Sequence, residues 1–77
     1  MAYREKRQQG TTKRLYERIE RWNDRVPTGA AVSYRKDDGT LVQTKTRSRA
    51  TLLGNHTPVI WLDGVTGCVM LDRVIAT

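Results

Sequence analysis

The sequence predicts an α+β chain, mainly β: an N-terminal amphipathic helix followed by a small SH3-like antiparallel barrel of four to five strands. Three observations predict it. An apolar stripe of helical period occupies the first third and stops before Pro27. From Ala30 onward, β-branched residues come in short runs separated by Gly-containing turns. The chain has 77 residues and a single cysteine, so no internal disulfide can brace it and one small core must do so. The organisation read from these patterns is a mobile basic arm over 1–10, a helix over 11–26, and a β-barrel over 27–77 that forms a single domain with the helix.

Residues 1–10 have no apolar stripe, which is why they read as an arm. Leu15, Ile19, Trp22 and Val26 then recur at i, i+4, i+7 and i+11, one stripe of a 3.6-residue helix, with Tyr16 beside it. Thr11 or Thr12 is the expected N-cap, although neither has a Glu three residues later to complete a capping box. Pro27 stops the helix and pushes Val26 towards an extended conformation. The opposite face carries Lys13, Arg14, Glu17, Arg18, Glu20, Arg21 and Asp24, with i, i+4 pairs at Lys13–Glu17 and Glu17–Arg21.

Ala31–Arg35 reads as the first strand, and Asp37-Asp38-Gly39 as a tight hairpin turn. Residues 41–53 read as one long second strand. Gly54-Asn55-His56-Thr57-Pro58 is loop material. Val59-Ile60-Trp61-Leu62 is apolar on both faces and is expected to be a central, covered strand. Asp63–Gly67 turns the chain, Cys68–Leu71 is a fourth strand, and Asp72–Ile75 closes as a short strand or helical turn. Asp72 is a candidate cap for that turn.

Charge is the main functional clue. The formal net charge is +6 and the pI about 10.1. Residues 1–26 hold eight basic and four acidic groups, so most of the surplus lies before Pro27. In the long second strand, alternation puts Val42, Thr44, Thr46, Ser48, Ala50 and Leu52 on one face. The other face shows Gln43, Lys45, Arg47, Arg49 and Thr51. Lys45, Arg47 and Arg49 would form a basic row about 13 Å long, able to track successive phosphates. The same residues would also guard an exposed strand against aggregation. Arg4, Lys6 and Arg7 of the arm, and Lys13, Arg14, Arg18 and Arg21 of the helix, complete the candidate nucleic-acid-binding set. Tyr3 and Tyr34 are the candidate stacking aromatics, whereas Trp22 and Trp61 belong to apolar stripes. No element resembles a groove-reading helix pair or an aromatic RNA-binding sheet, so binding is expected to be electrostatic, on DNA or RNA.

Other chemistries are closed off by composition. One histidine and one cysteine cannot make a zinc set, and no cofactor is expected. His56 and Cys68 could pair only as a nucleophilic couple. Cys68 opens an apolar strand, though, where a free cysteine is ordinarily a small buried hydrophobe. The expectation is a non-enzymatic protein. No apolar run exceeds four residues, as in Val59–Leu62, so neither a membrane span nor a targeting segment is expected. A free thiol without disulfides fits a reducing cytoplasm.

Thr46-Arg47-Ser48-Arg49-Ala50, His56-Thr57-Pro58-Val59-Ile60-Trp61, Gly64 and Gly67-Cys68-Val69 resemble a group of small proteins encoded by bacteriophages and integrated mobile elements. The resemblance covers about residues 22–75 and brings no assigned activity or functional residue. It implies a phage or mobile-element accessory protein in the cytoplasm of a bacterial host. Small accessory proteins of that kind also block host machinery, as anti-defence and anti-CRISPR factors do. A host protein is therefore the alternative partner to nucleic acid. The oligomeric state is left open, a homodimer among the options.

Overall fold

The computed structural model describes residues 2–54 and 56–77, with side chains described from Thr12 onward except Asn55. The chain is α+β: one long helix, α1 (Ala2–Arg25), then β1 (Ala31–Arg35), β2 (Leu41–Lys45), β3 (Thr51–Leu53), β4 (Thr57–Trp61) and β5 (Cys68–Met70). A one-turn 3-10 helix, η1 (Leu71–Arg73), and β6 (Val74–Ala76) follow.

α1 begins nine residues earlier than the apolar stripe predicts. Residues 2–10, read as an arm, are helical backbone. Their sequence is rich in strong helix formers, including Ala2, Glu5, Lys6, Arg7, Gln8 and Gln9, and intrinsic propensity does not depend on an apolar face. Thr11 and Thr12 therefore lie inside the helix and do not cap it. At the other end Val26 donates its N–H to the Trp22 carbonyl (2.8 Å), and Pro27 prevents a further turn.

The strands form two three-stranded antiparallel sheets, ordered β2-β1-β6 and β3-β4-β5. They do not close into the SH3-like barrel expected from the sequence. The difference arises in the segment read as one long strand. Residues 41–53 divide into β2 and β3 with an irregular link over 46–50, so β2 pairs with β1 and β3 with β4. Among the described residues a single isolated bridge, Thr46 opposite Leu62, joins the sheets. The Arg47 N–H to the Trp61 carbonyl and the Asp63 N–H to the Lys45 carbonyl flank it, both 2.9 Å.

Alternation nevertheless persists through the link. Val42, Thr44, Thr46, Ser48, Ala50 and Leu52 are all at least partly buried, while Gln43, Lys45, Arg47, Arg49 and Thr51 are exposed. Thr46 is 3% exposed and acts as the joint. Its hydroxyl donates to the Pro27 carbonyl (3.0 Å) and accepts the Gly29 N–H (2.9 Å), anchoring the turn after α1.

The β1–β2 hairpin turns at Asp37–Gly39 as expected. Gly39 has φ +88°, a conformation open to glycine without a steric penalty, and Lys36 and Thr40 close the turn (2.8 Å). β4 is central in its sheet, and Val59, Ile60 and Leu62 are buried. Both alternatives read for residues 72–75 occur in succession, η1 and then β6, which pairs with β1. No side chain caps η1, so Asp72 is not the cap expected of it.

Ile19 and Trp22 of α1 and Val26 just after it pack with Val32, Ala50, Ile60, Leu62, Val69, Leu71 and Val74 in one core. Leu15 is half-buried, which completes the predicted stripe. Asn23 secures the helix to the second sheet. Its side-chain amide donates to the Ala50 carbonyl (3.1 Å) and accepts the Ala50 N–H (2.9 Å).

Candidate nucleic-acid interface

The face of α1 read from the sequence as one mixed polar surface is sorted by helical geometry into two. At about 100° per residue, Arg14, Arg18, Arg21 and Arg25 fall within about 60° of arc, spread over about 16 Å of axis. All four are exposed. Lys13, Glu17, Glu20 and Asp24 turn to a neighbouring face. The apolar stripe lies on the other flank of the arginine row. Arg25, absent from the candidates read from the sequence, is the C-terminal member of the row. Its signal was the spacing of 4, 3 and 4 residues that it completes.

The expected ion pairs Lys13–Glu17 and Glu17–Arg21 do not form; among the described residues, the two ion pairs are Arg18–Asp72 and Arg73–Asp37. Arg14, Arg21 and Arg25 have no acceptor among the described residues. Arg18 Nη2 donates to Asp72 Oδ1, linking α1 to η1.

This pair crosses the rim of an open hollow of about 550 Å³ between α1 and the chain's C-terminal segment. Arg18, Arg21, Trp22, Asp24 and Arg25 line it from the helix, and Leu71, Asp72 and Val74 from the other side. A second hollow of about 520 Å³ shares Trp22, Arg25 and Val74 and runs on to Ile75. Together they give the arginine row a concave, partly apolar border.

The strand row is placed differently. Only Lys45 stands in a strand; Arg47 and Arg49 lie in the irregular link, so the regular ladder of three cations is not formed. All three remain exposed. Arg47 Nη2 donates to the Val65 carbonyl (3.3 Å), which turns its guanidinium towards the β4–β5 connection. Nor does the fold bring this group beside the arginine row. Asn23, which holds Ala50 next to Arg49, lies nearly opposite the arginines around the helix axis. The segment that carries Arg49 is thus held on the side of α1 away from the arginine row. The side chains of Arg4, Lys6, Arg7 and Tyr3 lie outside the described residues. Tyr34 packs partly against the core and is less open to stacking than a surface tyrosine.

A larger hollow of about 610 Å³ lies between the β1–β2 hairpin and the β4–β5 turn, lined by Tyr34, Val42 and Val65. Asp37 and Asp38 also line it, beside one lysine, Lys36. The Thr40 backbone N–H (2.9 Å) and hydroxyl hold the Asp38 carboxyl below its ordinary value, so it stays ionised near neutral pH. That charge disfavours an anionic ligand here.

His56 and Cys68 do not meet. His56 stands before β4, whereas Cys68 is opposite Trp61 at its far end, about 13 Å along the strand. Among the described residues no group of three His, Cys, Asp or Glu side chains could hold a metal ion, and no helix is long and apolar enough to cross a membrane. No family model, curated protein or solved structure matches the chain.

Proposed function

We propose that this chain is a non-enzymatic nucleic-acid-binding module that grips phosphates through Arg14, Arg18, Arg21 and Arg25 of α1. The row of four arginines carries the reading: like charges aligned on one helix flank, with Asp24 the one acid of α1 that shares their hollow and three guanidinium groups unengaged among the described residues. Aligned guanidinium forks suit phosphate oxygens, and such contacts position a protein without reading bases. Lys45, Arg47 and Arg49, all exposed, form a secondary contact. The resemblance to small phage and mobile-element proteins supports a bacterial cytoplasm as the setting and brings no activity of its own.

Binding should weaken steeply with salt. Four phosphate contacts on duplex DNA correspond to a log–log slope of about −3 to −4. Fluorescence anisotropy of a labelled 20-mer across a salt series measures it. Reversing Arg14, Arg21 and Arg25 to Glu should lower affinity at least about tenfold and flatten the slope. Unchanged affinity and slope would overturn the reading. Reversing Lys45, Arg47 and Arg49 should have the smaller effect.

The open sheet edges favour a second reading, a factor that binds a host protein. β6 is an edge strand with Ile75 54% exposed, and an extended partner segment can add to such an edge. A stable host protein captured after nuclease treatment, with no oligonucleotide binding at low salt, would favour it.

A further inference from the structure

We propose that Asp72 occupies part of the phosphate site on α1, and that nucleic acid binds by displacing this carboxylate from Arg18. The inference rests on the proposed nucleic-acid reading and adds a residue that opposes binding from within the site. Of the four arginines in the row, Arg18 alone has an acceptor among the described residues, and that acceptor is Asp72 of η1. Both residues line the same hollow as Arg21 and Arg25. A carboxylate and a phosphodiester present similar oxygens to a guanidinium fork, so they compete for the same donors.

The contact is built to exchange. The side chains of Arg18 and Asp72 are 44% and 61% exposed, and an ion pair in that setting contributes little to stability. Ile19, Trp22 and Val26 hold α1 to the sheets whether or not the pair is closed. Leu71, 3% exposed, fixes η1 to the core, so Asp72 is carried on an anchored turn. Asp72 therefore keeps Arg18 partly occupied in the free protein and repels an approaching phosphate. Apparent affinity falls by the fraction of molecules in which Arg18 is engaged.

The experiment measures binding of a labelled 20-mer oligonucleotide by the full chain, its Asp72→Asn variant, Arg18→Gln, and the double variant. Asp72→Asn should tighten binding about 3- to 10-fold. In the Arg18→Gln background the same change should tighten it less than about twofold. Unchanged or weaker binding by Asp72→Asn overturns the proposal. So does an equal gain in both arginine backgrounds, which would show only a change in overall charge. Inorganic phosphate should compete no better than chloride at equal ionic strength; stronger competition would make this a site for the free anion and overturn the assignment to a nucleic-acid backbone. If the unmodified chain binds no oligonucleotide at low salt, the nucleic-acid reading itself falls. If it binds and only the Asp72 outcomes fail, that reading stands and this one does not. Thermal melts of each variant confirm that the fold is kept.

Discussion

Single polar residues fix the places where this chain changes direction. Thr46 uses one buried hydroxyl to receive the Gly29 N–H and satisfy the Pro27 carbonyl, so the turn after α1 is tied to the junction of the sheets. Asp38 does the same for the first hairpin by accepting the Thr40 N–H. That hydrogen bond stabilises the charged form and lowers the carboxyl pKa from 3.8. Its contribution to stability is therefore present above the unfolded value and is lost as pH falls through the lowered folded value. A carboxyl NMR titration should give Asp38 a midpoint below the ordinary aspartate value; a midpoint at or above it would refute the assignment. The turn at Asp38 was legible from Asp-Asp-Gly alone because turn chemistry is local. The role of Thr46 was not, because its partners lie 17 and 19 residues away.

At the level of elements, α1 shows how one helix serves two purposes. The stripe of Leu15, Ile19, Trp22 and Val26 was readable from spacing and does enter the core, with Leu15 at its margin. The helix start was not, since residues 2–10 contribute helix propensity without an apolar signal. The long strand failed for a different reason. Period-2 alternation over 41–53 is compatible with a continuous strand or with two strands and a link that keeps the same faces. Pairing partners alone distinguish them. Asn23 holds the second of these strands to α1 through both backbone groups of Ala50. Asn23→Ala should cost about 1–3 kcal/mol, because Ala50 is buried and its N–H and C=O would lose their partner. Urea denaturation measures it, and a change below a few tenths of a kcal/mol would show that the clamp is dispensable.

Across the whole molecule, the helix and both sheets share one core. Ile19 and Trp22 come from α1, Val26 from the residue that follows it, and the others from the strands, η1 and the segments beside them. By size alone, neither part is expected to bury enough apolar surface to fold by itself. A chain reduced to residues 27–77 should therefore lose its cooperative thermal transition, followed by circular dichroism; a cooperative melt in that fragment would show the sheets to be self-sufficient. The same packing divides the surplus charge. Asn23 holds Ala50, the neighbour of Arg49, and Arg18 meets η1, so the arginine row and Arg49 stand on different sides of α1.

The sequence by itself determined the α+β character, the stripe that enters the core, the first hairpin, the central apolar strand and which residues of 41–53 face outward. These follow from local propensity and periodicity, which neighbours in sequence suffice to set. Only the tertiary structure decided that the strands form two sheets joined at Thr46 and Leu62, that Asn23 clamps Ala50, and that Asp72 meets Arg18. The last pair is 54 residues apart. Such contacts are set by how the elements pack, and no spacing along the chain encodes them.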